Sequence, residues 1–328
     1  MVGGDGVTAR RIVVTGATGF VGSQVVRRLL CRPVEVRAVA HRSAHPAVEH
    51  ATGGGRVSWS RASVAEPATL RGLFDGADAV VHLAGYVGRD EARCEAVNAR
   101  GGRAVAELAH RSGVPKLLYV STTAVYGPGP HRGIDVDEVR PAPVSAASRT
   151  RLAAESAFLA VGGTVLRPAL VLGADDRWVV PALAELVRRV PTGWDGGHAL
   201  LSVTASTDLA RLVAELACAP GRGPGGVHHA AHPEPVRSGD LLRELTGHGL
   251  LPAVSGDLPW DQCLARLRAV PGEMTERQFA LLARDHWYRS DRIWQIASCR
   301  PGPGPLRRLA DAADWYRTHL AERGMPAA

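Results

Sequence analysis

The feature that most constrains this chain is a spaced glycine triplet near its start. A short apolar run, Arg11–Thr15, breaks on Gly16-x-x-Gly19-x-x-Gly22, and helical spacing follows through Cys31. That order predicts a strand, a tight turn and a helix. Gly16 permits the turn, Gly19 lets a phosphate come close to the backbone, and Gly22 lets helix and strand pack together. A helix opening there offers unpaired N–H groups and the positive end of its dipole. The segment Thr15-Gly16-Ala17-Thr18-Gly19-Phe20-Val21-Gly22 is therefore expected to seat a pyrophosphate.

The chain beyond the loop repeats the same rhythm. Val34–Ala40, Val57–Ser60, Ala79–Leu83 and Leu117–Val120 read as buried strands, and Gly22–Cys31 and Glu91–Ser112 as helices. Alternation of this kind gives a doubly wound parallel sheet of the α/β class, with right-handed crossovers. After about residue 172 the rhythm loosens, Pro and Gly concentrate at 219–226 and 301–305, and six of the seven tryptophans follow. The expected division is 10–172 with about 200–230 as a nucleotide-binding sheet domain. A smaller, mostly C-terminal substrate-binding lid domain takes about 173–199 with 231–322, and residues 1–9 are a flexible lead-in.

The end of the second strand bears on which dinucleotide is bound. An NAD site places Asp or Glu there, to bond the ribose 2′-hydroxyl. Here the strand runs into His41-Arg42, and no acid stands between Glu35 and Glu49. A guanidinium pairs with a 2′-phosphate instead. Arg42, with His41 beside it, therefore predicts NADP(H).

Composition removes several classes. The net charge of +7 is carried by arginines scattered singly or in pairs, with Lys116 the only lysine, so no nucleic-acid patch forms. Five well-separated cysteines without a CxxC or zinc spacing fit a reducing compartment. The start of the chain lacks the blocks of a signal peptide and no apolar run reaches membrane length. A cytoplasmic protein with no membrane partner is expected. His228-His229-Ala230-Ala231-His232 reads as a short strand, whose adjacent histidines face opposite ways, so no metal site is expected.

Further motifs join the glycine loop: Val81-His82-Leu83-Ala84-Gly85, Asn98 within AVNARGG, Ser121-Thr122-Thr123-Ala124-Val125-Tyr126-Gly127, Leu152-Ala153-Ala154-Glu155, Leu166-Arg167-Pro168-Ala169 and Asp208-Leu209-Ala210. Over about residues 10–215 the chain resembles the extended short-chain dehydrogenase/reductases. The resemblance implies a Rossmann-type sheet, with nicotinamide near the strand ends at Leu83-Ala84-Gly85, Val120 and Pro168-Ala169-Leu170. It implies Ser63-Val64 beside the adenine and Thr122 at the catalytic Ser/Thr position. It also implies a homodimer through the helices that contain Asn98 and Ala147.

One departure bears directly on the chemistry. The family's tyrosine and lysine stand four residues apart on a helix, and in this chain those positions are Ala147 and Arg151. No shift of register restores them, since only Tyr288 has a basic residue four positions on, Arg292, far from the motif. A phenol normally donates the proton as hydride arrives. Ala147 has nothing to donate, Ser145 and Ser148 are weak acids, and Arg151 keeps its proton but still serves a ribose or a developing negative charge. Thr122 remains as a hydrogen-bond donor to the oxyanion.

A reductase so equipped suits a carbonyl that carries its own acid, such as an aryl ketone beside a phenolic hydroxyl. The expected substrate is a polycyclic aromatic polyketide ketone, and the pattern resembles the atypical reductases of antibiotic biosynthesis. Trp178, Trp194, Trp260 and Trp287 are candidates for an aromatic wall, and Val171–Trp178 and His131–Asp137 for loops bordering the site. Two other readings stay open: a non-catalytic NADP(H)-binding sensor or scaffold, and a nucleotide-sugar epimerase or dehydratase.

Overall fold

A computed structural model describes residues 9–41 and 53–325. The expected α/β architecture forms. Seven strands make the principal sheet: β1 (Arg10–Thr15), β2 (Val34–Ala40), β3 (Arg56–Arg61), β4 (Ala79–His82), β5 (Leu117–Val120), β6 (Thr164–Arg167) and β7 (Gly226–His229). Their order is β7-β6-β5-β4-β1-β2-β3. β1 lies parallel to both β2 and β4, with Ile12 beside Val36 and Thr15 beside His82. Every residue of β4 and β5 is buried, as expected of parallel strands covered on both faces. The order reverses between β1 and β4, and in sheets of this kind the crevice at the strand ends there is where ligands bind.

Three helices matter for the site: α1 (Phe20–Leu30), α2 (Gly101–Arg111) and α3 (Ala146–Ala160). α1 buries Val25, Val26, Leu29 and Leu30, and carries Arg27 and Arg28 in its last turn, where they suit the negative end of its dipole. The helical stretch expected over Glu91–Ser112 forms, but it is not uniform. An α turn at Glu91–Cys94 widens into a π segment at Glu95–Arg100 before α2 begins. Periodicity alone does not reveal such a widening, which shifts the facing side chains by a residue and often accompanies a functional site.

Contacts divide the chain into two compact units. The first holds 1–121, 145–166 and 210–227, and the second 122–144, 167–209 and 228–328. The second unit thus takes 122–144, 167–172 and about 200–209, segments expected from sequence to belong with the sheet domain. The first unit's core joins Val13, Val80 and Tyr119 of the sheet to Val105 and Ala106 of α2 and Ala154 and Phe158 of α3. The second unit has its own core, built on Leu183, Val187, Trp194, Leu241, Phe279 and Tyr316. It also carries a small sheet in the order Val236–Arg237, Leu200–Leu201, His286–Tyr288, His131–Ile134. Trp194 is 1% exposed and packs edge-on against Phe279, so it belongs to this core and not to a ligand wall.

Candidate cofactor and catalytic site

The glycine loop has the geometry its spacing demands. Gly16 sits at φ +73°, and a Cβ there would lie 2.5 Å from the backbone nitrogen of Ala84. The loop and the Leu83-Ala84-Gly85 segment therefore close on each other at the switch point, which explains two motifs with one contact. A Cβ on Gly22 would stand 2.0 Å from the Gly16 carbonyl oxygen. That glycine keeps the loop closed on itself, a tighter constraint than the helix–strand packing expected of it. Gly19 is the N-cap of α1, with no side-chain cap and no acid in the first turn. The N–H groups of Ala17 and Gly19 are taken by the carbonyls of Val39 and Gly16. Those of Phe20, Val21 and Gly22, in the helix's first turn, have no preceding helical carbonyl to bond. Thr18 and Gly19 are exposed above them. These features fit a dinucleotide pyrophosphate.

Behind the loop, Thr15 Oγ1 lies 2.6 Å from His82 Nδ1, both side chains fully buried. The imidazole stacks on Tyr119 and Phe158. Burial, helped by the charge of Arg151, pushes the His82 pKa down to about 3, so the ring is neutral in use. His41 is exposed at the end of β2. Arg42 lies outside the described residues. Val64 is buried, with its carbonyl 2.9 Å from where a Cβ on Gly101 would stand, and Ser63 is half-buried beside it. Val120 closes β5 with 9% of its surface exposed.

Arg151 projects from α3 at the place of the family's lysine. Its Nη1 donates to the carbonyl of Ser121 at 3.2 Å, and its Nη2 lies 2.7 Å from where a Cβ on Gly85 would stand. Its Nε is buried without a partner in the protein. A buried donor left open beside Gly85, at the switch point, fits a cofactor oxygen. Glu155, one turn later, is 1% exposed and accepts from the Ser121 hydroxyl, so it steadies the residue whose carbonyl holds Arg151. Asn98, in the π segment, is 1% exposed. Its amide brackets Tyr86, accepting from the backbone N–H at 2.7 Å and donating to the carbonyl at 2.9 Å, and it donates to Thr150 of α3 at 3.1 Å. The sequence reading matched Asn98 and Glu155 as motif residues without giving them work; the π turn and the buried carboxylate supply it.

The hydroxyls beside Ala147 are committed elsewhere. Ser145 and Ser148 form the N-terminal capping box of α3, each hydroxyl accepting from the other's backbone N–H at 3.1 Å. The tyrosines do not fill the gap either. Tyr119 is 2% exposed, and burial pushes its pKa up to about 12. The half-buried Tyr86 has its ring under Arg93 and its hydroxyl against Gly88.

In the second unit, Thr122 caps the short turn Thr123–Tyr126, its Oγ1 accepting from the Ala124 N–H at 3.1 Å. That bond occupies the oxygen and leaves the hydroxyl hydrogen to donate. The Thr123 N–H donates to the Pro168 carbonyl at 2.9 Å, so the turn stands beside Pro168, Ala169 and Leu170. Tyr126 is buried below it, with its hydroxyl 2.7 Å from His229 Nε2 and the Arg167 guanidinium over its ring. Burial pushes His229 down to about 4. The histidine cluster thus serves packing and hydrogen bonding, and the described residues contain no group fit to hold a metal.

The chain is similar to several known proteins. Residues 12–228 match the NAD dependent epimerase/dehydratase family. The chain is 30% identical to the 2-alkyl-3-oxoalkanoate reductase of Stenotrophomonas maltophilia (strain K279a), over 95% of this chain and 93% of that one. It is 28% identical to the 4-hydroxy-2-methyl-3-oxo-4-farnesyl-3,4-dihydroquinoline-1-oxide ketoreductase of Stigmatella aurantiaca, over 84% of this chain and 83% of the other. Among solved structures it is similar to the Bordetella bronchiseptica enzyme WbmH in complex with NAD+, with TM-score 0.73 and 20% identity over 95% of this chain and 99% of that one. At that identity the likeness concerns the fold alone. With the loop, the switch point and these matches in agreement, the chain belongs to the NAD dependent epimerase/dehydratase family, as an oxidoreductase of the extended short-chain dehydrogenase/reductase kind that binds a nicotinamide dinucleotide.

Proposed function

We propose that this chain is an NADPH-dependent ketoreductase of antibiotic biosynthesis, reducing a polycyclic aromatic polyketide ketone without a protein acid. The observation that carries this reading is Ala147, flanked by two serines whose hydroxyls are held in a helix cap. A site that lacks its acid suits a ketone that brings one. The glycine loop and Arg151 would hold a nicotinamide dinucleotide, which when bound would supply the hydride for the carbonyl carbon. Thr122 donates a hydrogen bond to the oxygen as it gains charge. Arg151, fixed on Ser121, adds positive charge and holds the nucleotide's ribose without taking part in proton transfer. The proton comes from a phenolic hydroxyl next to the ketone, leaving a phenolate that solvent reprotonates. A phenol has an ordinary pKa of about 10, the same as the missing tyrosine.

The two reductase-named relatives support ketone reduction, and one of them is named for a ring ketone. The missing tyrosine, the basic end of β2 and the arginine-rich composition resemble the angucyclinone 7-ketoreductase of simocyclinone biosynthesis. The preference for NADPH rests on His41 and Arg42 standing where an NAD site carries an acid. Epimerases and dehydratases of nucleotide sugars first oxidise an alcohol, which needs a base, and Ala147 offers none.

The test is NADPH oxidation against a panel of hydroxylated polycyclic aromatic ketones, with hydroxysteroids and sugar nucleotides as controls. Turnover confined to the aromatic ketones is expected. Turnover of sugar nucleotides would overturn the reading. Tight cofactor binding with no turnover on any carbonyl would make the chain a sensor instead.

A further inference from the structure

The second unit presents one tryptophan differently from the rest of the wall expected there. Trp194 is core, Trp260 packs on Phe279 with Arg284 over its ring, and Trp287 covers Gly133. Trp178 is 60% exposed, the most exposed large apolar side chain among the described residues. It stands at the N-cap of the helix Val179–Arg189, where Ser, Thr, Asp or Asn is favoured.

The backbone beneath it is clamped. Asp176, 1% exposed, takes over the capping: Oδ1 accepts from the N–H groups of Trp178 at 2.8 Å and Val179 at 2.9 Å, and Oδ2 from that of Val180 at 3.1 Å. Tyr316 donates its hydroxyl to Asp176 Oδ2 at 3.0 Å and accepts from the Gly173 N–H at 2.9 Å. Asp175 is held at φ +75°, a conformation few residues adopt. The positive-φ Asp175 and the buried Asp176 carboxylate together fix the backbone from which the exposed indole projects. The segment begins at Pro168, whose carbonyl receives the Thr123 N–H beside Thr122. Thr122 and Trp178 therefore lie in one unit, joined by the Thr123–Pro168 bond, the short strand Leu170–Leu172 and the Gly173–Tyr316–Asp176 bonds.

We propose that Trp178 is a specificity-determining residue, the pre-set stacking surface for the flat ring system of the substrate. This rests on the polycyclic aromatic ketone proposed above. A rigid aromatic face gains from stacking without ordering itself at the moment of binding. The contribution should grow with the number of fused rings, because a small ketone anchored at Thr122 leaves the indole uncovered.

The experiment uses the full chain with saturating NADPH, and compares wild type with Trp178→Ala and Trp178→Phe on a two-ring and a four-ring hydroxyketone that share the same reacting end. Trp178→Ala should raise KM for the four-ring ketone roughly tenfold, leave kcat within about threefold, and barely affect the two-ring ketone; Trp178→Phe should keep most of the affinity. Unchanged thermal unfolding shows that the variants fold. Quenching of tryptophan fluorescence by the four-ring ketone gives an affinity that needs no turnover. Quenching that is lost in Trp178→Ala supports the inference even if no ketone is reduced, in which case the functional reading alone falls. Equal four-ring affinity in wild type and Trp178→Ala overturns it. A wild-type dimer that Trp178→Ala converts to monomer in sedimentation also overturns it, since the indole then faces a second copy.

Discussion

Moving the protein from pH 7.5 to pH 5 should remove about 2 kcal/mol of stability through His82 alone. The side chain is fully buried at the switch point between β1 and β4, and its Nε2 has no partner within the protein. Its folded pKa lies near 3 against 6.5 for the free side chain, chiefly through burial and then through the charge of Arg151. Between those values the unfolded chain binds a proton that the folded chain refuses. Stability is therefore complete above about pH 6.5 and falls as pH drops toward 3. At 1.36 kcal/mol per pKa unit, the 1.5 units from 6.5 to 5 correspond to about 2 kcal/mol. The perturbation is His82→Phe, which keeps the stacking with Tyr119 and Phe158 and loses the titrating group. Losing the bond to Thr15 destabilises the variant by a fixed amount at both pH values. His229, held down near pKa 4, titrates equally in both proteins and cancels in the comparison. Chemical denaturation at pH 7.5 and pH 5 should show wild type losing about 2 kcal/mol more than His82→Phe. Equal losses would refute a neutral, buried His82.

Other consequences follow from the same geometry. Gly22→Ala puts a Cβ 2.0 Å from the Gly16 carbonyl, and calorimetric titration should show NADPH affinity down roughly fivefold to a hundredfold, since overpacking here costs about 1–3 kcal/mol. Arg42→Asp should weaken NADPH and strengthen NADH, moving the ratio of their kcat/KM values by roughly a hundredfold, the scale of a lost charge-assisted pair. Ser145→Ala, Ser148→Ala and Tyr86→Phe should each leave kcat within about tenfold, whereas losing a true general acid costs ~10²–10⁴-fold in the same steady-state assay.

The sheet and its nucleotide loop could be read from residues because their causes are local. Glycine spacing, buried strands such as Ala79–Leu83 and the helix after Gly22 need no distant partner to be recognised. Ala147 and Arg151 were placed by the family resemblance, and the structure puts both on α3. What escaped depended on contacts across the chain. Gly16 meets Ala84, Glu155 holds Ser121, and Tyr316 reaches Asp176 from 140 positions away. The tryptophans make the same point. Sequence marks four as a wall, but packing against Phe279 removes Trp194, and Trp178 stands exposed on a backbone bonded to Asp176. The widening at Glu95–Arg100 was hidden because a π turn leaves helical periodicity nearly intact over so short a span.

In the proposed reaction the substrate, and not the protein, supplies the proton. The most direct measurement compares kcat for a polycyclic aromatic ketone carrying a neighbouring phenol with kcat for its methyl ether, at saturating NADPH. Methylation should slow turnover at least ~10²-fold, the scale of lost acid assistance, while ring affinity is retained. Equal rates for the phenol and its ether would contradict it and place the acid within the protein.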